Sequence, residues 1–251
     1  MVARLHKGRL DRRGAAMEPV ATMTDLAADL IVHVAERAAG RAVLLVGVAG
    51  GVAVGKSTLA RTLADGLEAA GLPVQVVATD GFLKPNAELE AAGLSLKKGF
   101  PETYDAEALH GFLAALAAGR PAASPVYSHL TYDIVPGEAR TVVGSGVVII
   151  EGINVLQTPE ARRHLGLSIY VDADPAHTKA WYLARLHGII AADPESFFAK
   201  LDPARRDAMF EAAWTHLNLV NLREHIAPTA AYADVVVRKA ADHALAELAW
   251  R

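Results

Sequence analysis

Cysteine is absent from the 251 residues, which removes disulfides, thiolate catalysis and cysteine-ligated zinc at once and is compatible with a reducing cytoplasm. No apolar run approaches the roughly 18 residues of a membrane-spanning helix, because glycines and the charges of Lys56 and Glu151 interrupt the best candidates. Basic excess is missing too. The formal net charge is −3, so neither nucleic acid nor a membrane is the expected partner, and a small soluble substrate is the easier reading. There is no internal repeat, and no low-complexity block beyond a general abundance of alanine. The length suits one large α/β domain that needs no staples, and no linker argues for a second.

What is present centres on VLLVGVAGGVAVGKST, residues 43–58. An apolar run without alternation reads as a strand buried on both faces. A glycine-rich turn follows, and then a helix with Leu59, Leu63 and Leu67 four residues apart. Gly50, Gly55, Lys56 and Ser57 satisfy G-x-x-x-x-G-K-[ST], the loop whose backbone N–H groups wrap phosphate at a helix N-terminus. In that context Lys56 is expected to reach the β and γ phosphates of ATP and Ser57 to hold Mg²⁺. Gly50, Val54, Gly55, Lys56, Ser57 and Thr58 then form the nucleotide cradle.

Around this centre the pattern alternates. A helix is expected over 22–39, capped by Thr22 or Thr24, and strands over 74–78, 147–150, 167–171 and 233–237. Helices are expected over 105–117, 177–191 and 204–222, with a last one capped by Asp242 and ending near Ala249. The fold class is therefore α/β: a P-loop NTPase-like parallel β-sheet of about five strands with helices on both faces, in a single domain spanning 22–251. Residues 1–21 carry Arg4, Lys7, Arg9, Arg12 and Arg13 and read as a disordered tail, an arginine-rich transit peptide being the alternative.

Several polar residues fall where ligands bind in such sheets, just beyond the carboxyl ends of the strands. Asp80 follows the second strand, and a turn-capping role is its plain alternative. Glu151 ends the third strand, the position from which a carboxylate orders Mg²⁺ opposite the loop serine. Tyr182 and Arg185 share one helix face. The pair Lys97 and Lys98 reads as solvated surface, and PVYSHLTYDIVP, residues 125–136, as a functional loop.

Taken together, GVAGGVAVGKST, ATDGFLKPN, KKGFPETYD, SPVYSHLTYDIVP, IEGINVLQ, SIYVDA, WYLAR, HLNLVNL and KAADH resemble the bacterial type I pantothenate kinases, in order from Val43 to His243. The resemblance implies γ-phosphoryl transfer from ATP to the primary hydroxyl of pantothenate, the first step towards coenzyme A, by a cytoplasmic homodimer. It implies that Asp80 holds the attacking hydroxyl, with Lys56 and Arg185 catalytic beside it, and that Glu151 lies near the metal. By the same resemblance Tyr127, His129, Tyr182, Arg185 and Asn218 line the pantothenate pocket, and Lys239 and His243 lie beside adenine. Lys56, Arg61 and His129 match positions that recognise coenzyme A as a feedback inhibitor. The chain departs from the family pattern at Leu186 and Ile189, where aromatics are usual, at Gly51, where serine is common, at 230–232, and in the short segment 158–167. These departures leave open a kinase for another small hydroxylated acid or a nucleoside. A non-catalytic nucleotide or coenzyme A sensor is the further alternative.

Overall fold

Alternation along the buried strands sets the layering in the computed structural model, which describes residues 23–251 except Leu130, Pro194, Ser196 and Phe197. In β1 (Val43–Gly50), Leu44, Val46 and Val48 point to one face of the sheet while Leu45 and Ala49 point to the other. In β5 (Gly146–Glu151), Val147 and Ile149 join the first set, and Val148 and Ile150 the second. Helices α1 (Met23–Ala38) and α2 (Lys56–Ala69) cover the first face with Leu30, Val34, Leu59, Leu63 and Leu67. Helix α4 (Ala106–Ala117) covers the second with Leu109, Phe112, Leu113 and Leu116. Each fully buried side chain of this kind contributes about 1.5–3 kcal/mol.

Among the described residues the main sheet has six strands in the order β2-β5-β1-β6-β7-β8, with β2 at Val74–Ala78, β6 at Leu167–Ala173, β7 at Val235–Lys239 and β8 at Leu245–Trp250. The first five run parallel, and β8 pairs antiparallel with β7. That last strand corrects the C-terminal helix expected from Ala, Leu and Glu near the end of the chain. Asp242 instead accepts from the Ala244 amide in a tight turn, and Leu245 and Leu248 then pack on the face covered by α1 and α2.

A second sheet, β3 (Ala122–Ser128) with β4 (Asp133–Val142), forms an antiparallel arm where a loop was expected. Pro125 is tolerated there because the register shifts beside it and the arm has only two strands. Helices α3 (Asn86–Ala91) and α5 (Pro159–Arg162) are short connectors. The two long helices beyond β6 are α6 (Pro175–Ala192) and α7 (Pro203–Ala213). The helix expected over 204–222 continues past α7 but widens to π turns at 214–218 and 222–226. Thr24 lies within α1, while Thr22 and the expected tail 1–21 lie outside the described residues.

Candidate active site

Strand register brings the chemistry to one rim. Glu151 is level with Val48 on one side and Ala78 on the other, so the glycine loop after β1, the turn after β2 and the end of β5 open together. The loop geometry depends on glycine. Gly50 has φ 147° and Gly55 φ 93°; a Cβ on Gly50 would strike the Val171 carbonyl, and one on Gly55 would meet Lys239 Nζ at 2.5 Å. Gly55 caps α2 without a side-chain bond, and no acidic residue occupies the first turn. The first amides of α2 are thus left for an anion, and the cradle fits a phosphate chain.

Lys56 donates to the Gly51 carbonyl at 2.8 Å. Burial lowers its pKa, against the opposing pull of Glu151 and Asp80. Ser57 Oγ donates to Glu151 Oε1 at 2.6 Å, and that carboxylate is only 8% exposed. A hydroxyl and a carboxylate this close suit Mg²⁺, which takes few protein ligands when phosphates and water supply the rest.

Lys56, Ser57, Asp80 and Glu151 all line one cavity of about 370 Å³. Asp80 sits in a short 3₁₀ turn, Thr79–Phe82. The turn is fixed from behind by Thr79, whose fully buried hydroxyl donates to Asn154 Oδ1 at 2.6 Å. Gly81 lets it lie against the arm, since a Cβ there would run into the Pro125 carbonyl.

The arm brings Tyr127 and His129 to the same cavity, ring centroids 5.2 Å apart and edge to face. Helix α6 adds Tyr182 and Arg185, and with them Leu186 and Ile189. Burial raises the Tyr127 hydroxyl pKa, as does Asp80 beside it, and Tyr104 is raised for the same two reasons. Both phenols are therefore neutral hydrogen-bond donors near the carboxylate. Asn218 hydrogen-bonds the Tyr182 hydroxyl, whose pKa burial raises.

A neighbouring cavity of about 600 Å³ is lined by Gly55, Lys56, Ser57, Thr58, Arg61, His129, Arg185 and His243. Lys56, Ser57, His129 and Arg185 border both cavities. Exposed Arg61 also borders a third, of about 380 Å³, under Asp80 and the arm. His243 stacks on Trp181 at 4.0 Å and 25°, and Lys239 Nζ lies 5.4 Å from the Trp181 ring centre. Val54 is 1% exposed and gives its side chain to the core, so it can meet a nucleotide only through its backbone.

Sequence reasoning missed Trp181, Tyr104, Tyr132 and Lys98. Trp181 precedes Tyr182 on α6, a visible if unspecific signal. Lys98 corrects the expectation of a solvated pair. Its ammonium donates to Asn86 Oδ1 at 2.6 Å and to the Tyr132 carbonyl, lies 5.1 Å from the Tyr127 ring centre, and borders the cavity of Asp80. Burial lowers its pKa, with Asp133 and Asp80 opposing. Among the described residues, three non-glycine residues take positive φ, namely Ala53, Tyr132 and His243. Each borders at least one of the two main cavities, and such strain concentrates where a binding loop must hold a set shape.

Residues 45–187 match the model of the Phosphoribulokinase / Uridine kinase family. The chain belongs to that family of P-loop kinases. Among curated relatives, the pantothenate kinase of Streptomyces avermitilis is 44% identical over 226 residues, covering 82% of this chain and 69% of that protein. The pantothenate kinase of a Chelativorans species is 42% identical over 226 residues, covering 82% and 71%. Among solved structures, a Silicibacter kinase provisionally assigned to fructose transport has TM-score 0.65 and 31% identity, over 78% of this chain and 92% of that one. As a family member the chain is a kinase with a single α/β domain, and among the described residues no helix is long and apolar enough to cross a membrane.

Proposed function

We propose that this kinase transfers the γ-phosphoryl group of ATP to the primary hydroxyl of pantothenate. The observation that carries the proposal is the single cavity shared by the phosphate loop, Asp80 and the polar wall of Tyr127, His129, Tyr182 and Arg185. The relatives named above supply the acceptor's identity.

Asp80 orients the acceptor hydroxyl in line with the terminal phosphorus and takes its proton as the new O–P bond forms and the β–γ bridging bond breaks. The transition state is loose, so orientation matters more than basicity. Lys56 and Arg185 neutralise charge spread over the transferring oxygens, and the Arg185 fork can hold two of them at once. The uncapped amides of α2 and of the loop at Gly50 to Thr58 hold the phosphate chain. Ser57 and Glu151 would hold Mg²⁺, which would offset the negative charge of the phosphate chain there. Tyr127, His129, Tyr182 and Asn218 bind the acceptor's polar groups, while Lys239 and His243, with Trp181, form the shelf for adenine.

Four finer assignments belong to the same reading. Coenzyme A competes with nucleotide through Lys56, Arg61 and His129. The chain works as a homodimer in the cytoplasm, and residues 22–251 form the kinase domain. A second reading, phosphorylation of another small hydroxylated acid or a nucleoside, draws on Leu186 and Ile189 in the cavity wall. A panel of alcohols with ATP and Mg²⁺, followed by ADP release, separates the two. The proposal expects turnover dependent on pantothenate, and turnover on another alcohol with none on pantothenate would overturn it.

A further inference from the structure

Behind the acceptor cavity lies a second one of about 370 Å³, between the segment leading into α4, the connector after β5 and the turns at 224–232. Tyr104, 5% exposed, is the wall between them and borders both. Asn154 borders the rear cavity too, and its side-chain oxygen accepts from Thr79, the residue before Asp80. None of the roles in the kinase reading uses this space.

Its chemistry differs from that of the phosphate side. Lys56, Arg61 and Arg185 line the large front cavity, whereas the rear lining holds the carboxylate of Glu224 and neither lysine nor arginine. A phosphorylated or carboxylated ligand is disfavoured there. The rings of Pro101, Pro228, Tyr104 and Tyr232 give its walls flat apolar surfaces among the polar groups. The Arg162 guanidinium covers the Tyr232 ring at 3.8 Å and holds that wall in place. Gln157 borders the space, and its side-chain nitrogen is buried with no hydrogen-bond partner among the described residues. Buried donors are ordinarily paired, and rotation about the soft terminal torsion of glutamine turns this one towards an acceptor seated in the cavity. A donor on the protein at Gln157 and an acceptor at Glu224 call for the reverse pair on the ligand.

We propose that the rear cavity binds an uncharged planar molecule bearing an amide or lactam edge, and that its occupancy is transmitted to the Asp80 turn through Tyr104 and the Asn154–Thr79 hydrogen bond. The site does not depend on which alcohol the kinase phosphorylates.

Benzamide is the probe, with benzoate as its anionic counterpart, and ligand-observed NMR on the full chain is the measurement. Benzamide binds the wild-type protein with a dissociation constant on the order of millimolar, as its size allows. Benzoate binds at least about tenfold more weakly, because its carboxylate opposes Glu224. A106W, which fills the cavity from an exposed position at the start of α4, and Q157L, which removes the donor at similar volume, each weaken benzamide by about tenfold or more. In the wild type, benzamide also slows amide hydrogen exchange over residues 79–83, and in A106W it does not. Absence of benzamide binding, equal binding by A106W and Q157L, or equal binding of benzoate overturns the site. Unchanged exchange at 79–83 with the site filled overturns the transmission. Neither readout requires phosphoryl transfer, so a failure here is distinguishable from a failure of the kinase reading.

Discussion

Replacing Thr79 by valine removes the contact that holds the Asp80 turn while keeping side-chain volume and β-branching. Thr79 is 0% exposed, and its hydroxyl reaches Asn154 Oδ1 at 2.6 Å in a site where Asn154 is itself 5% exposed. Valine puts a methyl group against that oxygen and leaves it without its donor. A stranded buried acceptor costs about 1–3 kcal/mol. In a chain of this size each kcal/mol lowers Tm by about 2–4 °C, so the loss expected in Thr79→Val is roughly 2–12 °C. Asn154→Leu in the same background removes the stranded oxygen as well, and the double variant should recover part of the loss. A double-mutant cycle by urea unfolding should return a coupling of at least about 1 kcal/mol. If the two effects simply add, within about 0.3–0.5 kcal/mol, the hydrogen bond does not hold the turn and the reasoning fails. Turnover of Thr79→Val should fall with nucleotide affinity preserved, since the perturbed turn carries Asp80 and not the phosphate loop.

Burial of Lys56 gives a pH signature. Its pKa is lowered below the ordinary 10.5 in the free protein, and a bound triphosphate restores the protonated form. Nucleotide affinity should be flat below the free-state pKa and fall as pH rises through it, with proton uptake on binding in that window. Calorimetry in buffers of different ionisation enthalpy reads this directly, and Lys56→Arg, which does not titrate there, should remove the uptake. Lys98→Met removes the donor to Asn86 and Tyr132 and loosens the tip of the arm. The acceptor KM should rise by about tenfold, the scale of one or two charge-assisted hydrogen bonds. Steady-state kinetics should show the nucleotide KM unchanged, and a change confined to nucleotide would place Lys98 elsewhere in the mechanism.

The phosphate loop was legible because its demands fall on residue type at fixed spacing: glycine where φ is positive at Gly50 and Gly55, lysine and serine at the helix start. Most of the parallel strands were legible because burial on both faces leaves continuous apolar runs, as in β1, β5 and β6. β8 was not, since Leu245 to Trp250 has helix-forming composition and becomes a strand only because the β7 edge offers it hydrogen bonds. The arm escaped because Pro125, Pro136 and Gly137 signal turns, and a two-stranded sheet tolerates them at its bulge and edges. Lys98 escaped for another reason. Its role depends on Asn86, Tyr132 and Asp133, brought from elsewhere in the chain, and no local pattern encodes that meeting.

The central claim, that an alcohol guided by Asp80 meets the terminal phosphorus of ATP, is tested most directly by following product formation from pantothenate by phosphorus NMR with wild-type protein and Asp80→Asn. The wild type should yield a phosphomonoester at the primary hydroxyl. The variant should form it at least about 10²-fold more slowly while binding ATP with unchanged affinity. Formation at the wild-type rate by Asp80→Asn, or no phosphomonoester from the wild type, would contradict the account.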